Sequence, residues 1–216
     1  MKTQVQNIQI ALIFQNTFTG SFQGILSSYK EKYPDVLENV IPLPDDFPED
    51  SVPRLEIRHK TTTNMIRFAK SRADIVFTSS ENTDQTLLDD FIERILDLGV
   101  TIGRVGYVKR TIYSEIDMNY VRGRIQMIDS SWSDEDVFEA SQRLNKKTNI
   151  SFNNNQIICN NIASLTLGKD ADKEALLLER DINTHQDNNL GLKALQDVQT
   201  IVSLLGTEVD ETIFNM

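Results

Sequence analysis

His59, His185 and Cys159 are the only imidazole and thiol groups in this chain of 216 residues. A structural zinc site takes about four such ligands at close spacing, so this set does not make one. Cys159 sits in Gln156-Ile-Ile-Cys-Asn, which reads as strand and carries no local signature of a nucleophile. His185 closes Asp181-Ile-Asn-Thr-His. An Asp–His pair does general acid–base work when the two side chains face each other, yet polar residues at a strand end more often shape turns. His59 ends a strand beside Lys60 and reads as surface.

The remaining motifs resolve in the same direction. Gly99, Gly103 and Gly106 are spaced G-x-x-x-G-x-x-G and follow a helical pattern. A dinucleotide fingerprint runs strand, glycines, helix, so Gly99 reads as a helix terminator and the other two as relief in a twisted or bulged strand. Asp170-Ala-Asp-Lys-Glu starts like a calcium loop, but its sixth position is Ala175 and its twelfth Asp181. The loop needs glycine and glutamate there, so an acidic hairpin tip is expected. Asn149-Ile-Ser is a glycosylation sequon by pattern only. Trp132 reads as a staple at a helix entry, with an interface anchor as the alternative. No catalytic residue, metal or cofactor is expected. An enzyme built from this chain would have to gather Arg54, Arg58, Arg67, Asp74, Asp181 and His185 in a cleft between two halves.

Charge narrows the partners. The net charge is −10 and the pI near 4.7, which disfavours general binding to a phosphate backbone and favours a basic partner. The residues from Glu31 to Glu56 hold eight acids against Lys32 and Arg54. Asp45, Asp46, Glu49 and Asp50, set among prolines, form the expected acidic contact surface. Arg104, Lys109 and Arg110 form the expected basic one. A single cysteine, no apolar run near the roughly 20 residues that span a bilayer, and no apolar core at the start of the chain fit the cytoplasm.

These groups depend on elements that the patterning predicts. Ile8–Phe14 is a central strand. A helix follows Ser21 as N-cap, with Phe22, Ile25, Leu26 and Tyr29 on one face, and stops near Pro34. Val36–Leu43 is short and β-like, and Arg54–Arg58 alternates with Leu55 and Ile57 inward. Asn64–Lys70 and Ala73–Ser79 are strands. Thr83–Leu98 is an amphipathic helix capped by Asn82 with Gln85 in a capping box, and Val100–Tyr113 is a strand. Further on, Tyr120–Ile128 reads as strand and Ser133 to about Asn145 as helix. Ile150–Leu167 and Glu174–Ile182 read as strands, the first interrupted by Asn153-Asn-Asn. A helix from about Leu190 ends at Gly206, and Thr207 starts a last short one. The order predicts an α+β fold: mostly antiparallel sheet with helices packed on one face. It divides into an N-terminal half, 1–116, and a C-terminal half, 117–216. These are either two related β-α-β-β halves or one continuous domain.

The run Leu96-Asp-Leu-Gly-Val-Thr-Ile-Gly-Arg-Val-Gly-Tyr-Val resembles a segment of a sporadically distributed bacterial family of unknown function, with Val108 and Lys109 departing from that family's ending. Leu176-Leu-Leu-Glu-Arg-Asp-Ile-Asn and the Leu192–Leu205 helix are similar to its C-terminal part. The resemblance implies a bacterial or phage origin and no catalytic residues. The expectation is a non-enzymatic protein-interaction protein: an immunity, regulatory or defence-associated component that binds a protein partner or its own copy. The alternatives are the cleft enzyme and an acidic inhibitor that mimics nucleic acid.

Overall fold

A computed structural model describes residues 2–41, 43, 47–78, 83–114, 140–170, 173–188 and 190–210. The expected strand Tyr120–Ile128, Trp132, the helix start at Ser133, the caps and acids Asn82, Asp45 and Asp46, and the extreme C-terminus lie outside them. The elements run β1 (Lys2–Phe14), α1 (Phe22–Lys32), β2 (Val36–Val40), β3 (Leu55–His59), β4 (Met65–Phe68), β5 (Arg72–Thr78), α2 (Gln85–Asp97) and β6 (Ile102–Ser114). They continue with β7 (Ala140–Phe152), β8 (Asn155–Asp170), β9 (Lys173–Thr184), a 3₁₀ turn (Gln186–Asn188) and α3 (Leu195–Asp210). The nine strands of the described residues join one antiparallel sheet in the order β2-β3-β4-β5-β1-β6-β9-β8-β7. Both expected halves therefore contribute to one sheet.

Strand alternation sorts the side chains of β1 into two sets. Ile8, Ile10, Leu12 and Phe14 are buried and share a core cluster with Ile25, Leu26 and Tyr29 of α1, Leu88, Phe91, Ile92 and Ile95 of α2, and Val198, Ile201, Val202 and Leu205 of α3. The intervening Asn7, Gln9, Ala11 and Ile13 point to the other, polar face. Leu55 and Ile57 are fully buried, as their alternation predicts. Ser21 caps α1 by accepting from the Gly24 amide at 3.2 Å. Gly99 ends α2 with φ +71°, a conformation in which a Cβ is strained. Asn153 and Asn154 both take positive φ, which suits the two-residue turn between β7 and β8.

Four expectations change. The cap of α2 is Asp84, whose carboxylate accepts from the Leu87 amide at 3.1 Å. Residues 140–145 were expected to be helical and are strand, because β8 offers them a complete ladder from Ala140↔Leu167 onward. The last helix begins at Leu195 and not near Leu190; an antiparallel bridge between Leu192 and Ile102 holds the chain extended just before it. Gly206 lies inside α3 and does not end it, so no new helix starts at Thr207. Its role is packing: a Cβ there would come within 3.2 Å of the Tyr107 ring.

Replacing Asp84 with Ala removes an acceptor from the first turn of α2. The expected outcome is about 1 kcal/mol lower stability, read as a lower urea midpoint with an unchanged denaturant slope.

Candidate interaction surface

The polar face is built by cross-strand register. One row runs across all nine strands: Asn39, Glu56, Arg67, Asp74, Ala11, Gly106, Asn183, Asn160 and Lys147. Its centre is small, because Gly106 lies against Ala11 and Asn183 with no side chain of its own. To one side, Arg67 and Arg58 both bond Glu56, at 3.0 and 3.2 Å. Arg72 bonds the buried Asp74, which also accepts from Gln9 at 3.1 Å. Arg110 bonds Glu179 at 2.6 Å and Asn7 at 2.9 Å. On the far side, Arg104 donates to Asn183 and to the Thr184 carbonyl, Asn160 donates to Asn183, and Asn183 donates to Asp181. The strands thus tie their charged groups to one another across the sheet. Among the described residues no aromatic side chain stands on this face, so it offers no stacking platform for bases.

The expected contact residues fall at separate places. Glu49 is exposed, and Asp50 accepts from Thr17 while its carbonyl accepts from the Ser71 amide. Arg104 and Arg110 share the polar face of β6 and are committed to β9. Lys109, one residue from Arg110 on the strand, alternates to the opposite face.

The residues proposed for an enzyme cleft also scatter. Arg54 is buried and donates to the Leu43 carbonyl. Arg58, Arg67 and Asp74 are paired as above. His185 contacts Asp187 at 3.2 Å, whereas Asp181 accepts from Asn183. Two grooves lie among the described residues where helices meet the sheet or each other, and none of these six residues lines either of the two. The larger, about 770 Å³, lies between α2 and α3. Its wall holds the amides and hydroxyls of Gln85, Gln199, Thr200 and Ser203, and its floor holds Ile8 and Tyr107. Gln85 and Gln199 both donate to Asp89. Among the described residues no group of three or more His, Cys, Asp or Glu is placed to hold a metal ion.

Two features escape the sequence. The first is a half-buried cluster around His59, which is not a surface residue. Its Nε2 meets the Tyr29 hydroxyl at 3.1 Å, and Tyr33 stacks on Tyr29 with ring centroids 4.9 Å apart. The Arg94 guanidinium lies over the Tyr29 ring and bonds Asp90, which Lys32 bonds from the other side. Burial opposes ionisation of Asp90, but the hydrogen bonds from Lys32 and Arg94 outweigh it and hold its carboxyl below the ordinary range. Burial pushes the Tyr29 hydroxyl well above the ordinary tyrosine range and pushes the His59 imidazole down, against a weak opposing pull from Asp84. The second feature is β7, which among the described residues is an edge strand and is exposed on both faces over most of its length. Its helical composition concealed it.

An unfolded chain protonates His59 at a pH where the fold still disfavours that proton. Stability is therefore full above the ordinary histidine value of 6.5 and falls as pH drops through it toward the depressed folded value. Between pH of roughly 7 and 5 the urea midpoint of the protein should fall, and His59→Gln should flatten part of that slope. An unchanged slope in the variant would show that His59 carries no such linkage. Cys159 is fully buried and its thiol is pushed up to about 11 by burial. Alkylation by iodoacetamide at neutral pH should therefore wait for unfolding, with mass spectrometry following label uptake against urea. No protein-family model matches this chain, and no curated protein matches it.

Proposed function

We propose that the chain is a non-enzymatic protein-interaction protein, an immunity, regulatory or defence-associated component of a bacterium or phage that works in the cytoplasm. The origin rests on the family resemblance of the Leu96–Val108 and Leu176–Asn183 runs. The function rests on one observation: among the described residues, the charged groups of the sheet are bonded to each other along a broad face, and those proposed for a cleft line neither of the two grooves described above. An active site needs a base, a nucleophile or an electrostatic clamp aimed at one point. Here Glu56, Asp74 and Glu179 each spend their charge on an arginine of the same sheet.

In this reading α1, α2 and α3 sheathe the face that carries Ile8, Ile10 and Leu12, and the polar face and the two sheet edges are left for contact. The sheet serves as a rigid support, and affinity comes from its edges and from the exposed Glu49. Pairing of charges within the chain also lowers the attraction of that face for free phosphate or nucleic acid.

The chain used as bait in bacterial lysate should recover one protein partner at near-equal amounts in repeated purifications, scored by mass spectrometry. Recovery of the bait carrying only a small molecule that it converts to product would overturn the reading in favour of an enzyme.

A further inference from the structure

We infer that β7 is a docking strand that accepts an acidic, extended segment of a partner protein by adding it to the sheet. This deepens the protein-interaction reading above and rests on it. β7 is the last strand of the sheet, with β8 as its one neighbour among the described residues. It pairs through thirteen positions, a length of about 40 Å at the usual strand rise. The outer edge of such a strand presents backbone amides and carbonyls that another chain can use.

Both faces of this edge are open. Leu144 is 57% exposed although its alternation puts it on the side of Ile150, which is buried. Arg143, Asn145, Lys147 and Asn149 are exposed on the opposite side. The strand carries Arg143, Lys146 and Lys147 and no acid, on a chain whose net charge is −10. None of the three forms an ion pair among the described residues, in contrast to Arg58, Arg67, Arg72, Arg94 and Arg110. Among the described residues, three positive charges without an acidic partner therefore flank a strand edge without a second neighbour.

That charge selects the occupant. A second β7 laid against the first would set basic residues against basic residues, which disfavours a symmetric pair. A nucleic acid would meet three positive charges on an otherwise acidic protein, with no aromatic side chain beside them on the polar face. The other edge strand differs: β2 has five residues, and its Glu38 and the neighbouring Asp35 are already bridged to Lys30 and Lys60. An acidic strand fits β7 on both counts, backbone and charge. Antiparallel addition would continue the pattern of every other pair in the sheet. It places acids of the partner opposite Arg143, Lys146 and Lys147 and an apolar residue opposite Leu144. Read along the partner, this is acid, acid, any residue, apolar, acid.

The test uses a fluorescent peptide of about ten residues built on that pattern, a scrambled peptide of the same composition, and a single-stranded DNA of similar charge. Anisotropy should show the patterned peptide binding at least about tenfold more tightly than the scramble, with amide exchange slowed over residues 143–149 of the otherwise unmodified protein. Joint replacement of Arg143, Lys146 and Lys147 by Glu, checked for folding by thermal melt, should remove that binding. Equal binding of the scramble, tighter binding of the DNA, or binding without slowed exchange at β7 each overturns the inference, as does self-association of the protein that the triple replacement abolishes. The same triple variant used as bait separates the two levels of the argument. A native partner retained by the variant overturns docking at β7 and leaves the protein-interaction reading standing. The absence of any partner for the unmodified chain overturns that reading itself.

Discussion

β1 is paired on both sides, with β5 from Asn7 to Ile13 and with β6 along nearly its whole length. The β1–β6 ladder is the joint on which the sheet depends. On one side of it stand β5, β4, β3 and β2, and on the other β9, β8 and β7. Without it the nine strands separate into two open sheets, each with a new unpaired edge. The ladder joins residues about a hundred positions apart, so its closure entropy is high and must be offset by burial. Ile8, Ile10 and Leu12, all 2% exposed or less, supply that burial, at about 1.5–3 kcal/mol for each side chain. Ala11 and Gly106 face each other on the other side with little bulk between them.

The polar face follows from the same ladder. Once β1 fixes which side chains go to the core, a shift of one residue would send Asp74, Arg110 and Glu179 into it. The Arg110–Glu179 bond adds little by itself, since a part-exposed pair is worth about 0–1 kcal/mol. Its effect is on register: Arg110 reaches both Asn7 on β1 and Glu179 on β9 in the observed alignment. β7 differs because its basic residues have no acids across the strand. Arg143 is paired with Ser164 and Lys147 with Asn160.

Much of the N-terminal architecture was readable from periodicity. Ile8–Phe14, Leu55 with Ile57, the face of α2 and the stop at Gly99 are local patterns that survive in the folded chain. The extension of β1 back to Lys2 was not readable, because Lys-Thr-Gln-Val-Gln carries little apolar signal and becomes strand by pairing with β6. The segment 140–145 has helix-forming composition and is strand because β8 completes its hydrogen bonds. Gly206 looked like a terminator because glycine usually is one; the ring of Tyr107, a hundred residues away, explains why it sits inside α3. Of the expected contact residues, Glu49 could be read as exposed acid. The different fates of Lys109, Arg110 and Lys147 could not, since strand composition does not reveal which neighbour supplies a counter-charge.

The sequence by itself determined that this is an acidic chain with two imidazoles and one thiol, and it marked an α+β pattern, most of the described strands and the three described α-helices, the last with shifted ends. Those properties depend on composition and on spacing within about a dozen residues. Tertiary structure decided that the nine strands of the described residues share one sheet, that Arg104 and Arg110 are bound up with β9, that His59 lies against Tyr29, and that β7, among those residues, is a basic edge with one neighbour. Each of these depends on which distant strand or helix comes alongside, and that choice is made by burying one face of the sheet around β1.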